Sequence, residues 1–159
     1  MAHTHEDGVR STAAINGHPI HPMLVPLPIG ALVGAFVTDL VYLVEDDTFW
    51  STASEWLLLA GVVTGALAAV FGLTDFVTIK RVRDHRDGWI HFLGNATAIV
   101  LTIINLLVRS GETGVPTAGV ILSAIVAGIL VVTGWYGGEL SYRHKVGVIP
   151  HEEHLETPM

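Results

Sequence analysis

The chain contains no cysteine. That excludes disulfides, thiolate-held iron–sulfur clusters and covalent haem attachment through Cys-x-x-Cys-His, so any metal or redox centre must use nitrogen and oxygen ligands. Charge is also scarce, at 14% of residues, against about 25% in an ordinary soluble domain. Basic residues are the scarcer sign, 8 against 15 acidic, for a net charge of −7, which leaves no basic stripe for nucleic acid. What is abundant is apolar. Half of the 159 residues are hydrophobic and the mean hydropathy is +0.54. One other type stands out: nine histidines exceed the Lys+Arg total.

The apolar residues fall into four runs, Met23–Val44, Trp56–Ile79, Trp89–Val108 and Thr117–Tyr136. About 20 residues rising 1.5 Å each cross a hydrocarbon core of roughly 30 Å, so each run is read as a spanning helix. Pro26 and Pro28 are tolerated in the first turn of the first, where their missing N–H groups have no helical partner anyway. Gly61, Gly65, Ala68 and Gly72 form a smooth stripe on the second, a packing device for a neighbouring helix. The expected architecture is all-α, an up-down-up-down four-helix bundle over residues 17–149. Residues 1–16 and 150–159 read as polar tails, and residues 1–16 lack the basic-then-apolar pattern of a cleaved signal peptide.

Basic residues near the span ends set the orientation. Arg10, Lys80, Arg81, Arg83, Arg86, Arg143 and Lys145 fall on the face that holds both termini. The other face has only Arg109, beside Glu45, Asp46, Asp47, Glu55 and Glu112. Both termini are expected in the cytoplasm, with the chain in the inner (cytoplasmic) membrane.

The same face collects the unusual polar residues. His18 and His21 stand among prolines at the entry of the first span. Asp75 lies a turn before the second span ends, His91 and Asn95 share one side of the third at i, i+4, and Glu139, Tyr142 and His144 follow the fourth. Polar groups at that depth are costly unless paired or functional. Because each precedes a proline, His18 and His21 are expected to be extended, about 9 Å apart on a polyproline II spiral. The bland readings are a helix-entry motif for His18 and His21, a satisfied bundle histidine for His91, and a membrane-flanking basic residue for His144. His85 reads as a solvated loop residue, His3, His5, His151 and His154 as tail residues. Asp75 is expected to hold Arg81 or Arg143, and Asp39 to pair with Asn105 or a threonine.

The stretches His18-Pro19-Ile20-His21-Pro22-Met23-Leu24-Val25, Pro28-Ile29-Gly30, Asp39-Leu40, Gly72-Leu73-Thr74-Asp75, His91 and Gly137-Gly138-Glu139-Leu140 carry a resemblance. Together with His144-Lys145-Val146-Gly147-Val148, they resemble a bacterial family of uncharacterised four-span membrane proteins over roughly residues 17–149. The chain departs from that pattern at Lys145, where glycine is expected. The resemblance implies the fold but no established activity; fusion of some relatives to Rieske-type domains points to electron transfer.

Three functions follow as expectations. The first is a small b-type haem protein acting in electron transfer within a larger redox complex, with His21 and His91 as opposed ligands from diagonal helices. His18 and His144 then orient propionates or hold a second haem, and Asp75, Asn95, Glu139 and Tyr142 support the ligands. The second is a non-haem divalent metal site built from His21, His91 and His144, with His18 and Glu139 as further donors. The third is an accessory subunit with structural histidines. The expected partners are the lipid bilayer and other membrane subunits. No nucleophile-and-base constellation is present, so no catalytic residue is assigned.

Overall fold

The computed structural model describes residues 7–111 and 114–148; the expectations for residues 1–6 and 150–159, with their four tail histidines, and for Glu112 lie outside them. A two-strand hairpin, β1 (Ala14–Ile15) and β2 (His18–Pro19), leads into a short helix α1 (Ile20–Leu24) and the long α2 (Pro26–Glu45). Then follow α3 (Thr48–Thr78), the short α4 (Lys80–Asp84), α5 (Arg86–Arg109) and α6 (Thr117–Tyr142). Four segments, Ile20–Glu45, Thr48–Thr78, Arg86–Arg109 and Thr117–Tyr142, are long and apolar enough to cross a membrane.

The four spans stand where hydropathy places them, with shifted ends. The first begins at Ile20, because Pro22 falls in the opening turn of α1, where a missing N–H breaks no helical bond. His21 is therefore helical rather than extended. The second starts eight residues early, at Thr48, since the Asp47 carboxylate accepts the Phe49 amide at 2.9 Å and caps it. Its 31 residues reach roughly 46 Å at 1.5 Å each, well past the hydrocarbon. Asp46 turns the chain between the two in a left-handed conformation, φ 51°.

The inside and outside are inverted relative to a water-soluble bundle. Asp39, Ser54, Thr102, Asn105, Arg109, Ser123 and Thr133 are buried. Val44, Val63, Leu107, Val131 and Trp135 lie on the outside. Polar groups inside and apolar groups outside is the arrangement that lipid requires, because hydrocarbon cannot satisfy a hydrogen bond. Between them Leu32, Ala35, Leu58, Ala98, Val126 and Leu130 form the apolar centre.

α2 packs on α3 and α6, and α5 on α6 and α3, which places α2 and α5 on a diagonal. The two hairpins α2–α3 and α5–α6 bury the same register. The 70 residues that separate Asp39 from Arg109 carry every buried residue of α2 (Pro28, Leu32, Ala35, Asp39) onto a buried residue of α5 (Ala98, Thr102, Asn105, Arg109). One constant interval likewise carries Ser54, Leu58, Gly61, Gly65 and Ala68 of α3 onto Gly119, Ser123, Val126, Leu130 and Thr133 of α6, all buried. The bundle is thus two similar hairpins about a pseudo-twofold axis that runs along it.

Residues 7–16 are not the loose tail that their composition suggests. Asn16 (φ 49°) and Gly17 (φ 78°) make the two-residue turn of the β hairpin, the Asn-Gly signature of such turns. Val9 bridges to Val146, its amide donating to the Lys145 carbonyl at 2.9 Å. Asp75 anchors the segment. Its carboxylate accepts from the Ser11 hydroxyl (2.7 and 2.9 Å), the Thr12 amide (2.9 Å) and hydroxyl (3.0 Å), and the Ala13 amide (3.1 Å). The expected ion pair with Arg81 or Arg143 is not made: Arg81 donates to the Asp7 and His144 carbonyls, and Arg143 pairs with Glu139. Backbone amides of a nearby turn fill the carboxylate's acceptor sites before a long cation can. Removing the acceptor by Asp75→Ala is expected to speed amide exchange at Thr12 and Ala13 at least about fivefold, given the ~1–3 kcal/mol cost of orphaned donors. The melting temperature of the bundle should change little, which thermal unfolding in detergent checks alongside the exchange measurement.

Candidate functional site

At the end of the bundle that carries both described termini, His21 and His91 face each other from the diagonal first and third spans. Their ring centres are 6.0 Å apart and their planes stand at 89°. Each ring is held in the same way. The Nδ1 of His21 lies 2.9 Å from the Ala68 carbonyl oxygen of α3, and that of His91 lies 2.8 Å from the Thr133 carbonyl oxygen of α6. A carbonyl only accepts, so Nδ1 carries a proton, and in its neutral form each ring keeps a lone pair on Nε2. These carbonyls are available because His21 and His91 enter beside the last third of the neighbouring helix of their own hairpin.

Room for the rings comes from two glycines one turn further along. A Cβ on Gly72 would sit 2.8 Å from Cε1 and Nδ1 of His21, and one on Gly137 would sit 2.8 Å from Cε1 of His91. Ala68 with Gly72 and Thr133 with Gly137 are the same pair of positions in the two hairpins, so the site is built twice over and meets at the axis. Asn95 supports the second copy: its amide donates to the His91 carbonyl at 2.7 Å and its oxygen accepts from the Thr133 hydroxyl at 3.3 Å. Phe76 stacks on Phe92 (4.4 Å between centres) and meets Trp89 edge-on, an aromatic layer flanking the histidine level.

The other expected members go elsewhere. His18 is exposed and turns its Nδ1 to the Asn16 carbonyl within its own hairpin turn. Glu139 is engaged by Arg143, and Tyr142 is 87% exposed at the end of α6. The His144 Nε2 bonds Asp87 at 2.8 Å, and its ring lies 3.9 Å from that of His85, whose Nδ1 donates to the Arg81 carbonyl. His85 is therefore part of a structural cluster, not a free loop residue. Among the described residues no group of three or more His, Cys, Asp or Glu is placed to hold a metal ion. The multidentate set of His18, His21, His91, Glu139 and His144 is not assembled, because the helix ends splay these side chains into local hydrogen bonds.

At the opposite end sits a second polar centre. Asp39, fully buried, receives two bonds from Arg109, Nη1 to Oδ1 at 2.8 Å and Nη2 to Oδ2 at 2.6 Å. Ser54 donates a short bond to the same carboxylate. Arg109 Nε donates to Asn105, its Nη1 and Nη2 reach Ser54 and Ser123, and Asn105 bonds Ser123 and the Gly119 carbonyl. All four spans contribute, and the expected Asp39–Asn105 contact is replaced by this guanidinium fork. Arg109 is the residue that sequence reasoning set aside as a rim cation. The signal that could have found it is its place in the repeat, matched to Asp39 as His91 is to His21.

Four apolar spans, a polar interior and a paired-imidazole site at one end define a multi-pass membrane protein of the four-helix class, set in a lipid bilayer. The chain belongs to the family described as predicted membrane protein (DUF2231), whose model matches residues 17–150. No curated protein and no solved structure matches it.

Proposed function

We propose that this chain is a small b-type haem protein of the inner (cytoplasmic) membrane that passes electrons as a subunit beside other membrane proteins. His21 and His91 would hold the haem iron through their imidazole nitrogens. The observation that carries this reading is the ring pair itself, 6.0 Å between centres with both Nδ1 atoms tied to carbonyls. An ion on the line between one nitrogen of each ring, about 2 Å from each, would set the ring centres roughly 6 Å apart.

The ligand count favours haem over a bare ion. A protein-bound divalent metal takes three or four side chains, whereas haem supplies its own equatorial nitrogens and asks two residues of the chain. Bound haem supplies a one-electron couple. The chain's part is orientation: the Ala68 and Thr133 carbonyls fix each tautomer and raise the basicity of Nε2. The inner-membrane assignment rests on Lys80, Arg81, Arg83, Arg86, Arg143 and Lys145 at the site's end. The lone basic residue near the other end, Arg109, is neutralised inside the bundle by Asp39.

The visible spectrum of detergent-purified protein expressed with haem supply tests the reading. A Soret band with split reduced α and β bands is expected. His21→Ala and His91→Ala should each abolish it, and His18→Ala and His144→Ala should leave it. A colourless protein carrying stoichiometric metal would replace haem with the metal-site reading. A colourless, metal-free protein would leave the accessory-subunit reading.

A further inference from the structure

The two hairpins are so alike in buried register that each presents a face suited to a hairpin of the same build. Nothing in the apolar layers alone obliges the first to pair with the second of its own chain. Leu32, Ala35 and Leu58 face the axis in one hairpin, and Val126 and Leu130 in the other. Among the buried positions of the described residues, the layer where the halves differ in charge is that of Asp39 and Arg109, which occupy equivalent positions and meet across the axis at 2.6 Å.

We propose that the Asp39–Arg109 pair is the recognition element that makes the first hairpin pair with the second, in place of like-with-like pairing between hairpins of the same kind. Two first hairpins would bring carboxylate against carboxylate, and two second hairpins guanidinium against guanidinium, in a layer closed to water. A buried like-charge pair is strongly disfavoured. A single polar pair that sets partner choice is a known use of buried charge. The supporting groups fit this division. Ser54 of the first hairpin donates to the carboxylate and also accepts from Arg109, while Asn105 and Ser123 accept from the guanidinium within the second. The device acts at a distance: His21 and His91 lie five turns, roughly 27 Å, from the charge layer, and they meet only if the hairpins pair in this order.

The full chain tests this by complementation. The Asp39→Arg chain carries a guanidinium in both halves, and the Arg109→Asp chain a carboxylate in both. Expressed alone, each should accumulate at least tenfold less monodisperse protein than wild type. Expressed together with different affinity tags, they should recover and co-purify 1:1, above the level given by two tagged wild-type chains. In that complex each hairpin finds its opposite charge on the other chain. Accumulation of either variant alone as a wild-type-like species would overturn the proposal, and so would co-expression that restores neither yield nor co-purification.

Discussion

Replacing Arg109 by methionine is expected to destabilise the folded bundle by about 3–5 kcal/mol, the cost of leaving a buried charge without its partner. The side chain makes five hydrogen bonds to Asp39, Ser54, Asn105 and Ser123, and without it the Asp39 carboxylate keeps only Ser54. Asp39 is short and lies well inside α2, so it has no route to water. The reverse change, Asp39→Leu, should cost less. Arg109 is the last residue of α5, and its long side chain can extend to the interface with its charge. Arg109→Lys falls between, since an ammonium keeps the charge but cannot reproduce the planar fork.

The double variant Asp39→Leu, Arg109→Met separates stability from pairing. Buried ion pairs exchanged for apolar residues of similar size are often close to neutral, so the double variant should be more stable than Arg109→Met alone. A coupling larger than ~1 kcal/mol is expected, as for residues in direct contact. Unfolding of the four proteins in detergent, followed by circular dichroism against temperature, measures the cycle. Additive losses would show that the two side chains act separately and that the network is not a unit.

Much of the fold was legible because lipid imposes long apolar runs that few other demands mimic. Thr117 to Tyr136 can be read as a span with no knowledge of its neighbours. Helix ends were less legible, because they depend on single caps such as Asp47 and on extension into the headgroup layer, where hydropathy no longer discriminates. The bond between Asp39 and Arg109 joins residues 70 apart on separate spans, and no local pattern announces it. His144 and His91 look equally promising in one dimension. They differ because His91 points across the bundle axis while His144 stands on a terminal turn beside Asp87 and His85. The repeat holds information that a scan for identical residues misses: Ser54 answers Gly119 and Leu58 answers Ser123, so burial recurs where chemistry does not.

The two glycines beside the imidazoles offer the sharpest test of the site, because a methyl group there works against the ring and not against the helix. Gly72→Ala and Gly137→Ala should each favour helix formation by about 1 kcal/mol in the backbone. Yet the added Cβ falls 2.8 Å from the ring it faces, and the flexible part is the imidazole. The ring must swing off its carbonyl, to Ala68 in one case and Thr133 in the other. In the unloaded protein, nitrogen NMR of the histidines should then show loss of the fixed Nδ1–H tautomer at the affected ring. Loss of the group that orients a metal ligand typically costs 10- to 100-fold in affinity, so on the haem reading proposed above, haem titration followed at the Soret band should show a drop of that order for both variants. Gly128→Ala and Gly30→Ala, where an added Cβ meets nothing within 4 Å, are the controls and should leave titration and tautomer unchanged. Equal losses at Gly72 and Gly137 follow from the pseudo-twofold relation, which gives His21 and His91 the same seat in each half. If both glycine variants bound haem as wild type does, the rings as seated would not be its ligands, even with the bundle intact.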